Sequence, residues 1–403
     1  MPLRWISKLP VAFLAVMLCC NAGAADMRVH ALQAKQPNPS QPGVTANSIT
    51  IGSLAPLTGE NAETGSAVKA VLTAYFGDLN QHGGIYGRRI VLRFDESGGD
   101  SAATLKSAKR LAATPVFAMV APFVPDAEQT LAAVAHTSKM PLVGLLALSV
   151  PSDPVNREVF YLLPGFQQLE QELVRFAAAR EKAAKEKTAV VVADSKLQTD
   201  VAAAMQATWK ELSVEKPREV VFSAAKGAEV ISDLHKQGIE RVFFIGDGEQ
   251  LGPWIQAADR AEWAPRVFVL GPLLDESILA APARFQGRIF AAYPQLQPEE
   301  GAVDEFDYFL SSHNLASDHR LVQISAYCAA KILVEALARA GKNVTREKLI
   351  QTLEQMRDFR TGLLPGITFG ANRRVGSFKA EIVCVDLESH SFQAECSKTA
   401  KPE

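Results

Sequence analysis

The sequence predicts an α/β fold with two domains built on parallel sheets, and three observations lead to this prediction. A chain of 403 residues is too long for one ordinary domain and suits two. From residue 48 onward, short apolar runs of strand length alternate regularly with patterns of helical period. The first unit, residues 49–94, has the order strand, loop, helix, glycine-rich turn and strand, which is typical of a βαβ unit.

The N-terminal segment is typical of a cleavable export signal. Arg4 and Lys8 precede the apolar segment 11–20, which is too short to span a bilayer and is followed by small residues. We therefore interpret residues 1–25 as a signal peptide and expect a periplasmic protein. Two cysteines near the end of the apolar segment leave a lipoprotein as the less favoured alternative, because neither follows the small residue that lipidation requires.

Composition and charge give no indication of a nucleic-acid partner. The chain is 48% hydrophobic and 21% charged, and its formal net charge of −2 offers no broad field for nucleic acid. Neither a nucleophile–base constellation nor a set of metal ligands emerges, so we expect no catalysis, no metal and no cofactor. An enzyme with a dinucleotide-binding lobe is a rival, but the glycine pattern at 246–252 is one residue too long for that fingerprint.

The opening βαβ unit also carries family-specific motifs. A strand runs into Pro-Leu-Thr-Gly at 56–59, a helix follows, and Gly-Gly-Ile at 83–85 with Gly-Arg at 87–88 precedes a strand that ends in acidic residues. In this order and spacing the motifs resemble the start of the leucine/isoleucine/valine-binding-protein family. Its members are type I periplasmic binding proteins that deliver solutes to ABC importers. The resemblance covers roughly residues 48–395 and is strongest over 48–150.

The resemblance implies a periplasmic binding protein-like I fold, with two doubly wound parallel-sheet lobes, three crossovers and a ligand cleft between the lobes. After a flexible leader at 26–47, the lobes would comprise residues 48–163 with 294–363, and residues 164–293 with 364–397. The crossovers near 163–166, 291–294 and 364–366 would be the hinges. The implied function is that of a monomeric solute-binding protein that closes over a small molecule and presents it to an ABC importer permease. A ligand sensor or protein-interaction module with the same fold, uncoupled from transport, is the alternative.

By this resemblance, loops at the carboxyl ends of the strands would line the cleft. The candidate ligand-binding residues are Thr58, Glu60, Phe123, Val124, Leu146, Ala147, Ser149, Gln198, Glu249 and Leu273. Amino-acid-binding members hold the ligand carboxylate with hydroxyls where this chain has Phe123 and Leu146, and pair the ammonium with an acid where this chain has Leu273.

These departures predict a ligand more apolar than leucine or one without an ammonium, such as an aromatic or aliphatic carboxylate. A buried ammonium without a counter-charge would cost several kcal/mol. The alternative is that the loop alignment is shifted by a residue or two, so that these apolar residues pack in the core.

The C-terminal cysteines favour a cross-strand disulfide. Residues 379–387 and 391–396 form a predicted hairpin that places Cys384 roughly opposite Cys396. Export to an oxidising compartment favours their pairing. Two free thiols are the alternative.

Overall fold

A five-stranded parallel sheet organises the first lobe in a computed structural model, which describes residues 41–393 except 126, 148–149, 151–154, 180–185 and 214–215. The strand order is β2-β1-β3-β4-β5, so the chain starts in the middle and winds outward in both directions. The strands are β1 Ser48–Ala55, β2 Arg89–Glu96, β3 Ala118–Val120, β4 Leu142–Val143 and β5 Val159–Phe160. The helices of this lobe are α1 Ala62–Gln81, α2 Ser101–Ala112, α3 Glu128–Thr137, α8 Ala302–Ser312, α9 Arg320–Ala340 and α10 Arg346–Glu354.

A seven-stranded sheet of order β12-β11-β10-β9-β8-β6-β7 organises the second lobe. Strands β6 to β10 pair in parallel, and the last hairpin adds β11 and β12 in antiparallel pairing. The strands are β6 Lys187–Val192, β7 Arg218–Val221, β8 Ile239–Ile245, β9 Arg266–Leu270, β10 Ile289–Pro294, β11 Ala380–Asp386 and β12 Ser391–Gln393. The helices are α4 Phe166–Ala178, α5 Ser195–Glu211, α6 Gly227–Lys236 and α7 Gly248–Arg260. The predicted fold class of two doubly wound lobes is confirmed.

Helices cover both faces of each sheet, which explains the continuous apolar runs in the strands. On β8, Phe243 packs with residues of α4 and α5, whereas Phe244 packs with residues of α6 and α7. Helix α9 is long and apolar enough to cross a membrane, yet 61% of its most apolar window is buried inside the protein. It is the only such helix among the described residues, and it packs against α1 in the first-lobe core.

Two helices of the second lobe begin where aspartates cap them. Asp194 accepts hydrogen bonds from Lys196 N–H and Leu197 N–H, so α5 begins at Ser195. In the same way Asp247 accepts from Gln250 N–H, and α7 begins at Gly248.

The segments that connect the lobes lie side by side. Ser377 N–H donates to the Leu162 carbonyl oxygen at 3.1 Å, and Gln295 N–H donates to the Lys379 carbonyl oxygen at 3.0 Å. The first crossover therefore follows β5 and the second follows β10, close to the predicted positions.

The third crossover lies later than predicted. Ile367 and Phe369 are fully buried in the first-lobe core, and Val375 pairs with Tyr161 beside β5. The chain thus stays with the first lobe until about Ser377, so the predicted hinge at residues 364–366 and the predicted end of the first lobe at 363 are wrong.

The cysteines fall into two environments. Cys328 is buried in α9, as predicted, and burial raises the pKa of its thiol to about 12. Cys384 lies on β11 opposite Gln393 of β12, so the predicted hairpin is present. Its predicted partner, Cys396, lies outside the described residues, and the disulfide stays a prediction.

Candidate functional site

The loop after β1 forms the first part of the candidate site and is fixed by a carboxylate. Glu96, the last residue of β2, accepts from Leu57 N–H at 2.6 Å and from Gly98 N–H at 3.0 Å. The loop then carries the predicted residues Thr58 and Glu60, which are both exposed at the carboxyl edge of the sheet. No local pattern indicates this role of Glu96, because its partners are backbone groups of two different loops.

The close packing of α1 on this loop depends on a glycine. A Cβ atom at Gly65 would lie 1.8 Å from the carbonyl oxygen of Pro56, so no larger residue fits without a shift of the helix. Helix α1 thereby brings its first turn to the carboxyl end of β1, where the loop residues leave the sheet.

The loop after β3 turns sharply and sets the direction of the next side chains. Ala121 has φ +42°, a left-handed conformation that is strained for alanine and is often found near binding sites. Phe123 then forms a parallel bridge with Leu146, and both side chains are half-buried at the sheet edge. The structure thus brings together two of the predicted apolar residues.

The same turn removes one predicted residue from the site. Val124 is 1% exposed and packs in the core formed with α2 and α3, so its assignment to the cleft is wrong. The neighbouring Ala147 is half-buried against that core, and Ser149 lies outside the described residues. The alternative of core packing therefore holds fully for Val124 and in part for Phe123 and Leu146, which are half-buried against the first-lobe core at the sheet edge.

Two first-lobe helices present their N-termini at this edge without side-chain caps. The side chain of Asn61, the N-cap residue of α1, accepts no hydrogen bond from the helix, and Ala127, the N-cap residue of α3, has no side-chain acceptor. Uncapped N–H groups and the helix dipole both favour an anion. This edge is therefore suited to hold a carboxylate.

A histidine that was not predicted as a ligand contact joins the same edge. His319, the N-cap residue of α9, lies with Nδ1 at 3.3 Å from Thr64 Oγ1 in the first turn of α1. Its Nε2 lies 3.9 Å from the exposed carboxylate of Glu63. No local pattern could place α9 beside α1, because their contact joins residues 255 positions apart.

In the second lobe, two predicted ligand residues lie in helices rather than loops. Gln198 lies in the first turn of α5, where its Nε2 donates to Glu219 Oε2 at 3.1 Å. Glu249 lies exposed in the first turn of α7. Gln198 is therefore engaged within the lobe, whereas Glu249 faces solvent.

The loop after β9 lacks a free acid where amino-acid binders would need one. Leu273 is half-buried against the core beside α4 and α5. Asp275 accepts from Ser277 N–H at 2.8 Å, and a Cβ atom at Gly248 would lie only 2.3 Å from its Oδ2. The nearest acid is thus held against the start of α7 and caps the following 3₁₀ turn.

The two edges differ in charge, which limits the chemistry of the site. The first lobe offers uncapped helix N-termini, whereas the second offers Asp194 and Asp247 already paired with backbone amides. The part of the chain that the structure describes contains no group of three histidine, cysteine or acidic residues able to hold a metal ion. The arrangement is suited to binding an anion and not to acid–base chemistry.

Solved structures share this architecture at low sequence identity. A substrate-binding periplasmic protein from Ralstonia solanacearum has a TM-score of 0.64 at 21% identity, covering 84% of this chain and 98% of that chain. A branched-chain amino acid ABC transporter from Thermus thermophilus with bound valine has 0.68 at 15%, covering 86% and 95%. A fatty acid ABC transporter substrate-binding protein from Thermomonospora curvata has 0.66 at 18%, covering 86% and 91%. These likenesses establish the fold.

The family follows from the sequence itself. No curated protein matches the chain. The sequence profile of the family described as "Periplasmic binding protein" matches residues 48–386, which include both lobes. This family consists of substrate-binding proteins, not enzymes, that act in the periplasm or outside the cell. The chain therefore belongs to the periplasmic binding protein family.

Proposed function

We propose that the protein is an exported solute-binding protein of an ABC importer, and that its ligand is an aromatic or aliphatic carboxylate without an ammonium group. It acts as a monomer in the periplasm after removal of residues 1–25, and it presents the closed form to the importer permease. The lobes close over the ligand by bending at the three crossovers.

The observation that carries the proposal is the pairing of Phe123 with Leu146 at the first-lobe edge. Half-buried apolar side chains at this position suit a hydrocarbon body, and the neighbouring start of α3 suits its carboxylate. The leucine at position 273 and the engaged Asp275 support the absence of an ammonium. That a relative of the same fold is described as a fatty acid transporter protein supports this ligand class.

The proposal is tested by ligand-induced stabilisation of the mature protein. Leucine, valine, octanoate and phenylacetate are each added in a thermal-shift assay, and a ligand at 100 times its dissociation constant should stabilise by about 2.7 kcal/mol. We expect shifts with the acids that lack an ammonium and none with the amino acids.

Two variants localise the binding. Phe123→Ala should reduce the shift, whereas Tyr308→Ala, which removes a solvent-exposed aromatic residue on α8, should leave it unchanged. A shift with leucine alone would overturn the proposed ligand class. No shift with any compound, combined with capture of a specific periplasmic protein, would favour the interaction module instead.

A further inference from the structure

A cavity of about 380 Å³ lies beside the hinge, and the residues that line it include none of the candidate ligand-binding residues. Helix α3 contributes His136, the crossover segments contribute Tyr161 and Phe378, and α4 of the second lobe contributes Gln168. Its volume falls within the range of small-molecule sites, which is about 300–1,000 Å³. Nothing in the proposed cleft function uses this cavity.

The rim of the cavity combines an exposed aromatic ring with an unpaired cation. Phe378 is 46% exposed, and the guanidinium of Arg373 lies 5.1 Å from the centre of its ring. Arg373 donates to the carbonyl oxygens of Val375 at 3.3 Å and Gly376 at 3.2 Å, which hold the guanidinium in place. It forms no ion pair with any described residue.

A second arginine lines the wall and is paired with a carboxylate. Arg374 is 7% exposed, stacks 4.5 Å above the ring of Phe160, and donates from Nη2 to Glu354 at 2.7 Å. Its Nε and Nη1 are buried without a hydrogen-bond partner. Two arginines thus line the cavity, and none of the described lining residues is acidic.

We propose that this cavity binds an amphipathic organic anion, with the anionic group at Arg373 and the apolar body against Phe378. Charge complementarity selects an anion, because Arg373 has no ionic partner among the described residues, whereas Arg374 and His136 already contact Glu354 and Glu158. The exposed aromatic ring provides an apolar contact that costs no rearrangement of the core.

The test uses the fluorescent anion 8-anilinonaphthalene-1-sulfonate with the folded mature protein and with the cleft variant Phe123→Ala. We expect one bound probe per chain that Phe123→Ala retains. Phe378→Ala and Arg373→Gln should each weaken probe binding about tenfold, as expected for the loss of an aromatic contact or a charged hydrogen bond. The matched controls Tyr308→Ala and Arg89→Gln remove an exposed aromatic and an exposed arginine elsewhere, and should leave binding unchanged.

The outcomes separate this cavity from the cleft. Binding that is unchanged in Phe378→Ala and Arg373→Gln but lost in Phe123→Ala would place the probe in the cleft and overturn the proposal. Failure to bind the probe at all would also overturn it, even if octanoate stabilises the protein through the cleft. Melting curves of the two variants that match the wild type ensure that lost binding reflects the site and not the fold.

Discussion

Glu170 should make the protein less stable as the pH rises through neutrality. Its carboxyl lies on α4, is 2% exposed, and leaves Oε1 without a hydrogen-bond partner. Burial raises its pKa from 4.5 to about 8. The unfolded chain therefore releases this proton near pH 4.5, whereas the folded protein holds it until about pH 8.

The sign and size of the effect follow from linkage. Below pH 4.5 both states are protonated and Glu170 has no effect on the pH dependence. Above that value, ionisation of the carboxyl lowers the free energy of the unfolded state by about 1.4 kcal/mol per pH unit. The free energy of unfolding therefore falls by roughly 3 kcal/mol between pH 4.5 and pH 7. The loss stops above about pH 8, once the folded protein also ionises.

Glu170→Gln keeps the shape of the side chain and removes its titration. Urea unfolding is followed by tryptophan fluorescence, since Trp209, Trp254 and Trp263 are all buried in the second lobe with Glu170. The free energy of unfolding of the variant, relative to that of the wild type, should rise by about 3 kcal/mol between pH 4.5 and pH 7. Glu172→Gln is the matched control, because it removes a partly exposed carboxylate on the same helix. Parallel stability curves for the wild type and Glu170→Gln would refute the reasoning.

Two further changes test packing and the predicted disulfide. Gly65→Ala places a Cβ atom against the carbonyl oxygen of Pro56 and should lower the free energy of unfolding by about 1–3 kcal/mol. Gly77→Ala, on the same helix but facing open space, should be neutral or slightly stabilising in the same thermal melts. Cys396→Ser should cost about 2–3 kcal/mol under oxidising conditions and nothing in reductant if Cys384 and Cys396 are paired. Mass spectrometry showing two alkylated thiols in the untreated protein would contradict that pairing.

The local sequence pattern was sufficient to predict the positions of most helices and strands. Strand β9 ends where its apolar run meets a glycine and a proline. Helix α10 begins where Thr345, a residue favoured at N-caps, accepts from Lys348 N–H. Asp194 and Asp247 are N-cap signals of the same kind, and they place Gln198 and Glu249 in the first turns of α5 and α7.

Tertiary geometry could not be predicted in this way. The burial of Val124 depends on the left-handed turn at Ala121, which sequence does not favour for alanine. The late third crossover depends on long-range pairing of Val375 with Tyr161, and a short irregular segment gives no signal for its partner. The position of a site residue can therefore be predicted where it directly follows a strand end. It cannot be predicted where the conformation of a loop determines which way the side chain points.

The cavity beside the hinge and the cleft both change shape when the lobes rotate, so binding at one site is coupled to binding at the other. His136 belongs to α3 of the first lobe and Gln168 to α4 of the second, so rotation of the lobes changes the distance between two walls of the cavity. An anion that prefers one hinge angle must change the affinity of the cleft ligand, and the cleft ligand must change the anion's affinity by the same factor. The factor is measured by titrating the cleft ligand into wild-type and Phe378→Ala protein, each with and without saturating 8-anilinonaphthalene-1-sulfonate. A factor of one in the wild type would mean that Gln168 lies near the rotation axis and that the two sites fill independently.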